Sequence, residues 1–113
     1  TINMDGTAIM QGCATFFLAS LYGIDLGINE IVTIVITATI ASIGTAGIPS
    51  AGIIMLTVIF TQIGIPLEGI TLLLGVDRLL DMMRTSVNVS GDICISCVIA
   101  SSENKINESV FNS

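Results

Sequence analysis

DRLLDMMRTSVNVSGD, residues 77–92, decides how this chain folds. It lies in a very apolar part of the sequence, yet it carries charged and amide side chains well past its first turn. At about 100° per residue, Asp77, Asp81, Arg84, Thr85, Asn88 and Asp92 fall within roughly a third of a helical circumference. They form one polar stripe. Leu79, Leu80, Met82, Met83, Val87 and Val89 cover most of the remaining surface. The spacing predicts a long helix with an oily exterior and a wet seam, and the seam is expected to face a ligand and ion site.

Composition sets the surroundings of that helix. Apolar residues make up 52% of 113 positions and charged residues 11%, against about 25% charge in ordinary soluble domains. Mean hydropathy is +0.95. These values predict an all-α membrane protein, and a chain of this length leaves little room for a private water-filled pathway, so it reads as a piece of something larger. It opens on Thr1-Ile2-Asn3 with neither an initiating Met nor a basic leader, as expected of a segment cut from a longer sequence. Only Arg78, Arg84 and Lys105 are basic, which disfavours nucleic acid as a partner and leaves orientation undecided by charge. Cys13, Cys94 and Cys97 cannot all pair, and there is no His. Cys94-Ile95-Ser96-Cys97 has CxxC spacing but suits small-residue packing between helices better than redox chemistry.

On its N-terminal side, Gly64-Ile65-Pro66-Leu67-Glu68-Gly69 punctuates the chain before the seam helix, expected over 70–100. Before it, Ile31–Ile43 and Ile53–Ile63 are apolar runs of about 16–20 Å, short of the roughly 30 Å hydrocarbon thickness. Joining them is Ser42-Ile43-Gly44-Thr45-Ala46-Gly47-Ile48-Pro49-Ser50-Ala51-Gly52. Two half-length helices around a Gly/Pro tip are the pattern of a re-entrant hairpin, expected over 28–65, whose irregular backbone would line a cavity. A kinked pair of tilted helices with an exposed loop is the plainer alternative.

The first segment, 1–26, begins TINMDGT and continues as an uncharged helix-like run from Ala8 to Tyr22. Asp5 and Thr7 could cap a helix N-terminus. Alternatively the helix is broken here, and Asn3, Asp5 and unwound carbonyls become oxygen ligands for a hard cation. Residues 101–113 are polar and read as a disordered aqueous tail.

Charge within the apolar segments does not balance, since Asp5, Asp77, Asp81 and Asp92 outnumber Arg78 and Arg84 by two. Each such charge costs about 2.5–3.5 kcal/mol at a bilayer centre, so bound cations or protons are expected to supply the difference. The plain reading of Asp81 and Arg84 is a structural ion pair at i,i+3. The functional reading is that the planar fork of Arg84 holds a carboxylate while Asp81 holds an ammonium, which together describe an acidic amino acid. Intramembrane aspartyl proteolysis, the enzymatic alternative, is weak because Val89-Ser90-Gly91-Asp92 lacks GxGD spacing.

TINMDGTA (1–8), ASIGTAGIP (41–49), GIPLEGI (64–70) and the seam itself occur in an order and spacing that resemble the C-terminal part of the dicarboxylate/amino acid:cation symporter family, the glutamate and aspartate transporters. The resemblance runs from Thr1 to about Ala100. It implies a non-enzymatic secondary active transporter working by alternating access: a seventh membrane helix broken at the NMD motif, a second re-entrant hairpin, and an eighth, long transmembrane helix, together forming the C-terminal half of a mobile transport domain. By the same resemblance Asp81 holds the substrate ammonium, Arg84 reads the side-chain carboxylate and Asn88 meets the main carboxylate. Thr7 and Thr85 complete that shell, and hairpin positions Gly47, Ile48 and Gly52 touch substrate through backbone.

For sodium, the resemblance implies Asp92 with the carbonyls of Asn3 and Asn88 at one site, Asn3 and Asp5 at a second, and carbonyls of Thr1, Ser42, Ile43 and Thr45 at a third. Ser50 and Met83 stand where relatives often have glycine. Met4, Thr7 and Asp92 fit the sodium-coupled rather than the proton-coupled pattern, and Arg84 fits acidic rather than neutral substrates. The expectations are therefore sodium as coupling ion, no organic cofactor, a homotrimer of the full protein, and a multi-pass protein of the cell membrane with a cytoplasmic tail. Proton-coupled glutamate symport, C4-dicarboxylate symport and an inactive truncated product are the alternatives.

Overall fold

The computed structural model describes residues 3–112; Thr1, one of the expected sodium ligands, lies outside them. The described residues form α1 (Asp5–Leu21), α2 (Ile28–Gly44), α3 (Ala51–Ile63), α4 (Gly69–Leu74), α5 (Asp77–Ser102) and α6 (Glu108–Phe111). No strand occurs among them, in keeping with an all-α class. The molecule is elongated, 57 × 30 × 19 Å.

α1 is the hub, packing on α2, α3 and α5. Its inner face contributes Leu18 and Ala19, which meet Ile34 of α2 and Leu56, Ile59 and Phe60 of α3 in a core from which water is fully excluded. Small residues allow close approach at several points. An added Cβ on Gly6 would come within 2.7 Å of the Arg84 carbonyl oxygen, so α1 and α5 can touch here only over glycine.

α2 and α3 run back along one another around the turn at residues 45–50, tied by Thr37 Oγ1 donating to Gln62 Oε1 at 2.7 Å. At 17 and 13 residues they measure about 25 and 20 Å. A helical hairpin with a Gly/Pro tip is thus present. Ser50 takes the left-handed conformation, φ 63°, to start α3.

Two boundaries differ from the expectation. The single helix expected over 70–100 is two: α4 stops at Gly75, and the Val76 carbonyl accepts the N–H groups of Leu79 and Leu80, restarting the chain as α5 at Asp77. Glycine is a weak helix former, and the break gives the seam its own N-terminus with Asp77 in the first turn. At the other end α5 runs on to Ser102, and the stretch read as an unstructured tail carries the four-residue α6. α1 begins at Asp5 with Met4 in a non-helical conformation, and no side chain caps it. Asp5 lies in the first turn, while Thr7 is buried and engaged elsewhere.

Among the described residues no helix is long and apolar enough to cross a membrane. α5 has the length, 26 residues, but carries the charges of the seam. Its oily side nevertheless faces outward: Leu79, Met82 and Met83 are each about two-thirds exposed.

Candidate ligand and cation site

The seam of α5 forms one wall of a cavity of about 320 Å³, with Arg84 buried and Thr85 and Asp92 exposed along it. Asp81, Arg84, Thr85, Asn88 and Asp92 contribute from α5, Thr7 from α1, Asn3 from the segment before it, and Thr45, Gly47, Ile48 and Gly52 from the hairpin. Helical periodicity explains the first group, since i, i+3, i+4 and i+7 share a face. The hairpin explains the last. Its tip, where Ser50 takes the left-handed conformation, brings Thr45, Gly47 and Ile48 to the cavity wall. All eight residues assigned to substrate by resemblance line this cavity, as do Asn3, Thr45, Asn88 and Asp92 of the sodium set. The volume lies at the small end of the roughly 300–1,000 Å³ typical of small-molecule sites.

Arg84 is the most constrained of these side chains. It is 6% exposed, and its Nη2 forms an ion pair with Asp81 Oδ1. The i,i+3 pair read as the plain alternative therefore exists. It does not satisfy the fork, because Nη1 is buried and has no partner among the described residues. The guanidinium lies against α3 at Gly52, where an added Cβ would stand 2.4 Å from Nη1. A charged donor buried without an acceptor is costly, and a ligand carboxylate entering the cavity would relieve it.

Asn88 stitches α5 to α1. Its Oδ1 accepts the Gly6 N–H at 2.8 Å, and its Nδ2 donates to Thr7 Oγ1 at 3.1 Å. One N–H and one lone pair remain for a ligand. One turn further along, Asp92 Oδ1 accepts from Asn3 Nδ2 at 3.0 Å.

The other residues of the sodium set are less gathered. Ser42 and Thr45 are buried, with hydroxyls donating to the Thr39 and Ala41 carbonyls. Ser42 and Ile43 belong to the last turn of α2, where carbonyls lack intrahelical donors, although the Ser42 carbonyl accepts the Thr45 N–H at 3.4 Å. Asp5 is exposed, and Asp5, Ser42 and Ile43 do not line the cavity. Among the described residues no three His, Cys, Asp or Glu side chains converge. A cation here would rest on mixed amide, carbonyl and single-carboxylate oxygens, a donor set that suits a hard ion.

Two contributors escaped the sequence reading. Gln11, fully buried on α1, donates from Nε2 to the Gly52 carbonyl at 3.2 Å and so fixes the backbone against which Arg84 rests. It is the one amide in the run Ala8–Tyr22, a signal that could have been noticed. Asp77, counted in the seam but assigned neither substrate nor ion, accepts a hydrogen bond from Ser50 Oγ at 2.8 Å. A larger cleft of about 510 Å³ between α1 and α5 is lined by apolar groups except Arg84 and offers an acidic ligand no further donors.

The sequence is similar to those of known proteins. The family model described as the sodium:dicarboxylate symporter family matches residues 1–102. The chain is 54% identical over 92 residues to excitatory amino acid transporter 3 of Mus musculus, covering 81% of this chain and 18% of that protein. It is 55% identical over 92 residues to excitatory amino acid transporter 2 of Rattus norvegicus, covering 81% and 16%. With the excitatory amino acid transporter of Caenorhabditis elegans it shares 47% over 92 residues, covering 81% and 18%. The chain thus spans less than a fifth of the length of these relatives.

Proposed function

Because this chain belongs to the sodium:dicarboxylate symporter family, we propose that it forms the substrate- and ion-binding part of a membrane transporter that carries glutamate or aspartate together with sodium. The observation that carries this reading is the buried, unpartnered Nη1 of Arg84 in the wall of a cavity that also holds Asp81, Thr85 and Asn88. Those groups match the chemistry of an acidic amino acid. Arg84 takes the side-chain carboxylate on the free edge of its fork. Asp81, already beside Arg84, turns its second oxygen to the ammonium. Asn88 uses its spare N–H for the main carboxylate, with the Thr7 and Thr85 hydroxyls beside it. The backbone at Gly47 and Ile48 closes over the ligand and excludes water.

Bound sodium supplies positive charge against the carboxylate surplus. Asp92, Asn3 and the Asn88 carbonyl would hold one ion, Asn3 and Asp5 a second, and the Thr1, Ser42, Ile43 and Thr45 carbonyls a third. In the full protein this segment forms half of a mobile transport domain, with α2 and α3 as a re-entrant hairpin, in a trimer of the cell membrane.

Radiolabelled aspartate uptake by the full protein in proteoliposomes tests the reading. Arg84→Ala should weaken apparent affinity by about 2–5 kcal/mol, upward of roughly thirtyfold, and replacing external sodium by choline at fixed pH should abolish uptake. Undiminished uptake by Arg84→Ala removes the assigned role of the arginine. Uptake that persists in choline and follows a proton gradient makes the protein a proton symporter.

A further inference from the structure

Ser50 and Asp77 lie 27 residues apart in sequence and meet in one hydrogen bond, Ser50 Oγ donating to Asp77 Oδ2 at 2.8 Å. Each is locally unfavourable by itself. Ser50 has φ 63°, a conformation that L side chains adopt at a cost. Asp77 is 3% exposed, and its other oxygen has no partner among the described residues. Such features persist where surrounding contacts over-determine them. Here they share a hydroxyl-to-carboxylate contact, a strong kind of hydrogen bond.

Its position gives the bond leverage. Ser50 is the hinge residue between tip and α3, and Asp77 opens α5, one turn before Asp81. Among the described residues, no other hydrogen bond joins the tip, 45–50, to another element. The tip's remaining bonds, such as Thr45 Oγ1 to Ala41 and Ala51 N–H to Ile48, stay within the hairpin. α3 itself is held independently by Gln11 on the Gly52 carbonyl and by Ile53 and Leu56 in the core. Breaking the Ser50–Asp77 bond would therefore free the tip and leave the arm in place.

We infer that the Ser50–Asp77 hydrogen bond is a latch that holds the hairpin tip closed over the ligand cavity, which makes both residues positioning residues rather than ligand contacts. The inference rests on the reading of that cavity as the ligand site, yet tip opening can be measured without any ligand.

The test uses the full protein in detergent micelles with Ala46, an exposed tip residue, changed to Cys. All native cysteines except Cys97, exposed far along α5, are replaced by Ser. Maleimide labelling at the two thiols is followed by peptide mass spectrometry. Ser50→Ala and Ser50→Gly should each speed labelling at the tip by about tenfold, as expected for loss of a hydrogen bond to a charged group, while the Cys97 rate stays at its parent value. In a double-mutant cycle, Asp77→Ala should add little to Ser50→Ala. Unchanged tip labelling in the Ser50 variants, equal acceleration at Cys97, or additive effects in the cycle would overturn the latch. Adding aspartate and sodium to the parent should slow tip labelling; if it does not, the assignment of the ligand fails while the ligand-free comparison still decides the latch.

Discussion

Arg84 holds two relations at once: one nitrogen pairs with Asp81, and the other is packed, unpaired, against the Cα of Gly52. The second relation depends on the absence of a side chain. Gly52→Ala would put a methyl 2.4 Å from Nη1, and since the clash is with the end of a flexible side chain, the guanidinium swings away rather than the fold failing. Overpacking of this kind costs about 1–3 kcal/mol, so calorimetric titration of Gly52→Ala in the full protein should give aspartate binding weaker by about fivefold or more. Parent affinity would mean that the observed guanidinium position is not the binding one. The participation of Arg84, Asp81, Thr85 and Asn88 in one cavity was legible in the sequence, because a polar stripe at helical spacing in an oily helix has few structural uses. Gln11 and the Ser50–Asp77 pair were not. A lone amide has no period, and partners 27 residues apart meet only once the hairpin is folded.

At the scale of elements, α1 is the part on which both sides of the site depend, since it carries the Thr7–Asn88 stitch to α5 and the Gln11 tether to α3. Leu18 anchors it. Fully buried, it also abuts α4, where a Cβ on Gly69 would lie 3.1 Å from Leu18 Cδ1. Leu18→Ala should destabilise the full protein by about 2–5 kcal/mol, read as a lowered thermal unfolding midpoint in detergent. An unchanged midpoint would show that α1 is not the keystone of the packing. The hairpin was readable from three glycines and a proline between half-length apolar runs. The interruption between α4 and α5 was not, because Gly75-Val76 directly continues the apolar run Leu72–Leu74 with no proline beside it, and a single glycine is tolerated within many helices. What the break accomplishes is visible only in space: it begins the seam helix at Asp77, opposite Ser50.

For the whole molecule the distribution of polarity is inverted relative to a water-soluble domain. Asp81, Arg84, Asp92, Asn3 and Asn88 gather around one cavity, while Leu79, Met82, Met83, Ile28 and Val98 stand outward and exposed. Exposed apolar surface on this scale marks contact with lipid or with other protein. The full protein should therefore sediment with membranes and resist extraction by high salt and alkaline carbonate, yielding only to detergent. Release by salt alone would contradict the membrane reading.

The proposed function requires this cavity to bind an acidic amino acid through Arg84 in concert with sodium. Equilibrium titration of L-aspartate into the purified full protein measures that most directly, in matched sodium and choline buffers, on the parent and on Arg84→Ala. The parent should bind saturably in sodium and not in choline, and the variant should bind more weakly by upward of roughly thirtyfold. Equal binding in both buffers, or an Arg84→Ala variant that binds as the parent does, would contradict it.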